Sequence, residues 1–206
     1  MNKLILTAAL VVSSLASASD WTIDSAHSLA EFDVKHMAVS TVNGSLGEVT
    51  GAVKLDDKDA SKSTFDVKID VKGLTTKVAK RDDHLRSADF FDVEKFPTIT
   101  FVSKKADAKQ SFVKIEGTKA TITGVLTIKG VSKDVTLTGT LADSVNPFTK
   151  AKTRGFTATT QINRKDFGLV WNMALETGGV LVSDEVNITV NAELVPAAPA
   201  AAPTKK

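Results

Sequence analysis

Three histidines, His27, His36 and His84, are the side chains of this sequence best suited to proton transfer or metal ligation near neutral pH. Their spacing matches neither a helical His-x-x-x-His pair nor a Cys/His zinc site, and the chain has no cysteine. His27 and His36 have opposite parity on a continuous strand, which weakens a shared metal site further. Asp24 and His27 with Ser25 or Ser28 supply the residue types of a hydrolytic triad, but groups so close in sequence do not supply its geometry. No Gly-x-Ser-x-Gly elbow and no P-loop occurs. Asp82 and Asp83 stand beside arginines, so ion pairing explains them more simply than acid–base work. No catalytic residue, metal ligand or cofactor is assigned on these grounds.

Two stretches are richer. Lys80 to Phe101 crowds two arginines, His84 and several acids around Leu85, followed by Phe90, Phe91, Phe96 and Phe101. Asp82 or Asp83 is an expected N-cap for a short helical turn over His84 to Ala88, and Pro97 leads into a strand from Thr98 to Ser103. Asn163 to Gly168 opens a second loop that carries Trp171 and Asn172. There Arg164 and Asp166 could form a bidentate pair that fixes the loop, or Arg164 could meet a polar head group.

The elements that must position these residues are strands. Phe65, Val67, Ile69 and Val71 alternate with Asp66, Lys68, Asp70 and Lys72, and similar alternation runs through Ser28–His36, Ala120–Ile128, Val135–Leu141, Phe156–Ile162 and Val186–Leu194. The pattern gives eight or nine strands with turn signals between them and one polar face, as in an antiparallel sheet. Helical possibilities are confined to Thr75–Ala88 and Trp171–Leu175. Consecutive hairpins favour an up-and-down barrel over a sandwich. A barrel of about eight strands has an interior wide enough for side chains or one small ligand. Ser28, Ala30, Gly124, Gly139, Ala158 and Ala192 are small residues on inward faces. The gap they leave is filled either by facing phenylalanines such as Phe32, Phe65, Phe101 and Phe156 or by a long, thin apolar ligand.

The ends lie outside this pattern. Met1 to Ala18 has a positive start at Lys3, a short apolar core from Leu4 to Val12 and an Ala16-Ser-Ala18 cleavage site, the composition of an export signal that leaves Ser19 first. Its apolar run is too short to span a bilayer. Pro196 to Lys206 is an Ala/Pro tail, so residues 19–195 form one domain. Lys and Arg number 26 against 24 Asp and Glu, a formal +2; loss of Lys3 with the signal leaves +1. No basic stripe interleaved with aromatics appears, which argues against a nucleic-acid partner. The sequons at Asn43 and Asn187 are treated as chance.

A set of short motifs in fixed order carries a resemblance. Asp24-Ser-Ala-His-Ser28, Phe32-Asp-Val-Lys-His36, Arg81-Asp-Asp-His-Leu-Arg-Ser87, Asp89-Phe-Phe-Asp92, Phe96-Pro-Thr-Ile-Thr-Phe101, Gly124 to Val131, Asn163-Arg-Lys-Asp-Phe-Gly168 and Val182-Ser-Asp-Glu-Val186 together resemble the YceI-like family of periplasmic lipid-binding proteins. The resemblance covers nearly the whole domain. It implies a lipocalin-like barrel with a tunnel for a polyisoprenoid, an isoprenoid quinone or a fatty-acyl amphiphile, and it leaves the ligand, the delivery partner and a possible homodimer open.

On that basis Phe32, Val34, His36, Phe65, Ile69, Phe101, Ile122, Leu126 and Phe156 are expected to line the tunnel. Arg81, His84, Arg164 and Asn172 are expected at its mouth with His36. The expected role is a non-catalytic carrier or sink. The rival readings are a packed barrel that acts through its surface, as in envelope stress, and a hydrolase or isomerase of lipid head groups.

Overall fold

The computed structural model describes residues 19–107, 109–176 and 178–198. The export signal and most of the Ala/Pro tail lie outside the described residues. Nine strands form one antiparallel sheet: β1 (Ser19–His36), β2 (Ser40–Leu55), β3 (Thr64–Asp70), β4 (Thr98–Ser103), β5 (Val113–Glu116), β6 (Lys119–Ile128), β7 (Val131–Val145), β8 (Lys152–Asn163) and β9 (Val182–Pro196). β1 pairs with both β2 and β9, and β4 pairs with β6 from Thr100↔Thr127 to Ser103↔Gly124. Eight strands thereby close an up-and-down barrel, with no open edge left among those eight. β5 is the extra strand. It takes the edge of β6 below the point where β4 ends, pairing Val113 with Ile122.

Chain direction sets the two ends. The upper end collects the β1–β2 turn, the β3–β4 crossover, the β6–β7 turn and the β8–β9 loop; the lower end carries the other connections and both chain termini of the sheet. At the lower end Trp21, Leu55, Val113, Ala120 and Ile122 are buried in one apolar cluster. The expected tail starts one step later than its composition suggests. Pro196 still pairs with Trp21, and the Ala197 N–H donates to the Asp20 carbonyl at 2.9 Å.

The crossover holds the helix α1 (Ala79–Arg86), longer and earlier than the expected turn. Neither Asp82 nor Asp83 is its N-cap; Val78 stands there without a side-chain cap. Asp82 is instead buried inside the helix's first turns, where its carboxylate accepts hydrogen bonds from the Thr75 hydroxyl (2.9 Å) and from the Thr76 N–H (2.7 Å) and hydroxyl (2.5 Å). Burial raises its pKa, but these donors outweigh burial and hold it below the usual carboxylate range. Asp83 is exposed and pairs with Arg86 at 3.1 Å. Trp171 to Leu175 forms no helix; 3-10 turns occur at Ala60–Lys62, Val71–Gly73 and Arg164–Phe167.

The small inward residues are partly filled from within the wall. A Cβ on Gly44 would lie 2.5 Å from the Phe32 ring, and one on Gly124 would lie 2.5 Å from the Phe101 ring. Each glycine thus provides the bed for an aromatic ring from a neighbouring strand. Phe65 and Phe156 meet with ring centroids 5.6 Å apart. These contacts occupy space near the wall and leave the axis itself incompletely filled.

Candidate binding cavity and its mouth

Inward residues along each strand trace a stack of three apolar spaces. The lowest, about 740 Å3 including its open sides, is lined by residues such as Ile23, Phe65, Ile69, Phe101, Leu126 and Phe156. The next, about 590 Å3, is lined by Phe32, Val34, Phe91, Ile128, Ile162 and Val186 among others. Leu46, Ile99 and Ile188 border both, so the two spaces abut at that level. The uppermost, about 700 Å3, reaches the surface beside Lys35, His36, Arg81, His84 and Trp171, and shares Phe32, Val34, Leu85, Phe90 and Val182 with the space below. β9 shows the order directly: Leu194, Ala192 and Val190 face the lowest space, Ile188 both inner ones, and Val182 the upper two.

The lining is almost wholly hydrocarbon. Thr160 is the polar side chain of the lowest space and Arg164 that of the middle one. Such a slot gains from a hydrocarbon occupant and offers water few partners.

Eight of the nine side chains expected in the tunnel border these spaces, with His36 at the top rather than inside. Ile122 does not. It is fully buried on β6 opposite Val113 and Leu137, in the packed lower end, while Leu126 two inward positions higher faces the lowest space. Period two identified the correct face of β6 but not how far down the axis the opening extends. Ile99 and Ile188 at the neck lie on the inward parity of their strands and were legible by the same rule, whereas Leu46 sits at a bulge where the inward parity of β2 switches.

At the mouth, Arg81 and His84 come together on α1 with His36. Arg81 Nε donates to the Thr76 hydroxyl at 2.7 Å and Nη2 to the Thr76 carbonyl at 3.2 Å, which orients the guanidinium. His84 Nε2 lies 3.0 Å from Asp89 Oδ2. Its ring stands edge-on to Trp171 and Phe90, with centroids 4.7 Å and 5.1 Å away. Trp171 and Phe90 themselves are 5.3 Å apart, so an aromatic trio borders the opening. Trp171 sits in an aperiodic loop, and no strand pattern could have assigned it.

The other two expected mouth residues serve the loop. Arg164 is 3 % exposed and its guanidinium donates to the carbonyls of Ser183 (2.9 Å), Leu169 (2.5 Å) and Trp171 (2.8 Å), with Asp184 at 3.3 Å. The expected Arg164–Asp166 pair is absent among the described residues, because Arg164 turns inward from the 3-10 turn while Asp166 is exposed. Burial pulls the Arg164 pKa down, opposed by the charge of Asp184. Arg164 therefore borders the middle space from below the mouth while closing the loop by its hydrogen bonds. Asn172 borders none of the spaces. Its amide donates to the Val182 carbonyl at 2.7 Å and accepts from the Val182 and Met173 N–H groups, standing in for a missing strand neighbour.

The remaining histidine is on the outer wall. Between Asp24 and Leu29, β9 advances only from Glu193 to Asn191, so β1 bulges. The Ser28 hydroxyl pins the bulge, donating to the Asp24 carbonyl at 2.6 Å and accepting from the Glu193 N–H at 3.0 Å. Asp24 and Glu193 are directly opposed carboxylates, an unfavourable pair. His27 Nδ1, 2.8 Å from Asp24 Oδ2, sets against them a ring that offsets their charge when it is protonated. The donor atoms of Asp24, His27 and Glu193 lie within 4.8 Å of one another, a grouping that histidine spacing alone did not reveal. The hydrogen bond to Asp24 raises the His27 pKa, helped by the charges of Asp24 and Glu193, and the same bond lowers that of Asp24. His27 thus stabilises fully below its ordinary pKa of about 6.5, and the effect fades as pH rises through the raised value. Asp24 contributes above about pH 3.9 and loses its effect as pH falls through the lowered value. The bridge is strongest between those limits. In an NMR titration the His27 midpoint is expected above that of a free histidine and to fall on Asp24→Asn; an unchanged midpoint would refute the pairing.

A closed antiparallel barrel with an apolar axis and an opening beside a capping helix defines a lipocalin-like small-molecule-binding architecture. The sequence matches the YceI-like domain over residues 21–194, and the chain belongs to that family. It is 36% identical over 179 residues to a UPF0312 protein of Staphylococcus aureus, covering 85% of this chain and 96% of that protein. Its fold is similar to that of BcnA from Burkholderia cenocepacia, with a TM-score of 0.68 at 28% identity over 83% of this chain and 98% of BcnA. A polyisoprenoid-binding domain from Saccharophagus degradans, implicated in plant cell wall breakdown, shares the fold with a TM-score of 0.60 at 12% identity, over 87% of this chain and 99% of that one.

Proposed function

We propose that this protein is a periplasmic carrier or sink for a long-chain amphiphile, a polyisoprenoid, isoprenoid quinone or fatty-acyl lipid, whose tail occupies the barrel axis. The observation that carries the reading is the hydrocarbon-lined stack leading from Phe65 and Leu126 past Ile188 to the opening at His36, Arg81 and His84. Each methylene moved from water into it gains roughly 0.8 kcal/mol, offset in part by ordering the chain. Tail length is then selected weakly, since one methylene discriminates little. Head-group preference falls to Arg81, His84 and His36. A fold shared with a polyisoprenoid-binding domain supports a carrier more than an enzyme, and no nucleophile–base pair faces the cavity among its lining residues. The export signal expected at residues 1–18 supports the location.

Native mass spectrometry of gently purified protein, with organic extraction of the same sample, tests this reading. The expected result is a bound species that leaves on extraction and is identified as a long-chain lipid. Protein that carries no lipid, and that takes up none when offered a short prenol such as farnesol, would overturn it.

A further inference from the structure

A water-insoluble chain must leave a bilayer before it can enter the cavity, and the end of the barrel that carries the opening has a surface suited to a bilayer. Six of the ten exposed large apolar side chains among the described residues lie there: Met37, Val39, Val78, Val170, Met173 and Val180. Val39 is 82 % exposed and Met173 57 %. The other four are Leu29, Val102, Val145 and Phe148, on the wall and at the lower turn.

The patch is built into the backbone. Met37 and Ala38 hold φ of 53° and 59°, the left-handed conformation that a two-residue hairpin turn usually assigns to Asn-Gly. Holding non-glycine residues there is costly, and such strain tends to gather where a surface has a job. The Met37 N–H donates to the Leu181 carbonyl at 2.8 Å, and the Leu181 N–H donates to the Met173 carbonyl at 2.9 Å. The hairpin tip is thus tied to the β8–β9 loop, which brings Met37, Val39, Met173 and Val180 to one side of the opening. Val78 stands at the start of α1, where Arg81 and His84 border the same opening.

Charge is arranged around the apolar residues. Lys77-Val78-Ala79-Lys80-Arg81 contains no acid until Asp82, which is buried. Lys77 and Lys80 are exposed and in no ion pair among the described residues. Of the acids at this end, Asp83 pairs with Arg86, Asp89 with His84, Asp92 with Lys95 and Asp184 with Arg164 and Lys165, while Asp70, Glu94 and Asp166 are exposed and in no ion pair among the described residues. Glu176 is exposed in the β8–β9 loop. Basic side chains on the α1 side with apolar ones on the hairpin side match the two layers of an anionic membrane interface, phosphate above hydrocarbon.

We propose that this upper rim docks on an anionic lipid bilayer. Met37, Val39, Met173 and Val180 enter the interface, Lys77 and Lys80 meet phosphate head groups, and the opening faces the acyl region so that a tail passes without crossing water. The proposal rests on the carrier reading.

The test is co-sedimentation of the mature chain with phosphatidylcholine vesicles, with and without phosphatidylglycerol. Binding is expected to the anionic vesicles and to weaken with salt. A Val39→Asp/Met173→Asp variant is expected to lose tenfold or more in partitioning. A Lys77→Glu/Lys80→Glu variant is expected to lose at least as much, since each lysine near such a surface is worth about fivefold, and to lose the preference for phosphatidylglycerol. Both variants should bind farnesol in vesicle-free buffer as the wild type does. Wild-type protein that ignores both vesicles, or variants that partition unchanged, would overturn the proposal. So would substitutions that alter self-association in analytical ultracentrifugation while vesicle binding stays the same, for the patch would then join two copies of the chain. Vesicle binding without any farnesol uptake would leave docking standing and remove the carrier reading.

Discussion

Replacing Arg164 with methionine is expected to lower the stability of the barrel by about 3–5 kcal/mol, the cost of removing one partner from a buried charge network. Methionine has a similar length and would fill much of the same volume, so the loss is one of hydrogen bonds rather than of packing. In the native protein one guanidinium satisfies the carbonyls of Leu169, Trp171 and Ser183 and faces Asp184. Without it those carbonyls are left in a poorly hydrated site and Asp184 keeps only Lys165, at 2.8 Å. Lysine at this position keeps the charge but not the planar fork, and should recover only part of the loss. Urea unfolding measures the effect as a fall in midpoint at constant slope. Hydrogen exchange should show faster opening of the segment from Leu169 to Val182 than of the β-wall. A stability change below about 1 kcal/mol would show that the loop is held by other contacts.

The second large effect concerns the axis. Phe101→Asp puts a carboxylate among Ile69, Ile99 and Leu126 and is expected to lower farnesol affinity a hundredfold or more. The charge also destabilises the fold, so retained far-UV circular dichroism must accompany the binding measurement. Ile188→Trp separates binding from polarity. Ile188 borders both inner spaces, and a larger apolar side chain there fills the neck at an overpacking cost of about 1–3 kcal/mol. Farnesol binding should weaken at least tenfold while the barrel persists. Unchanged binding in both variants would place the ligand elsewhere on the molecule.

Much of this architecture was legible in the residues. Phe65, Ile69, Phe101, Leu126 and Phe156 stand on the inward parity of clean alternating strands, and they do face the axis. Alternation says which face, however, and nothing about depth, which is why Ile122 was grouped with them although it belongs to the packed lower end. The choice between rings and ligand as the filling of the glycine gaps depended on three-dimensional distances. Gly44 and Gly124 turn out to seat Phe32 and Phe101, and apolar spaces remain beside the rings. The polar residues were the least legible. Asp82, Arg164 and Asn172 all act on backbone groups, and a backbone partner leaves no trace in the spacing of side-chain types. The Asp24–His27–Glu193 grouping depends on a bulge and on a strand that arrives from the far end of the chain.

The most direct test of the account is where a bound chain lies. With isoleucine and leucine methyl groups labelled and farnesol added, NMR should show intermolecular NOEs from prenyl protons to Ile69, Leu126 and Ile188, deep in the barrel, and to Leu85 nearer the opening. NOEs confined to surface methyls such as Leu29, or inner methyls that contact only water or one another when the protein is saturated with farnesol, would contradict it.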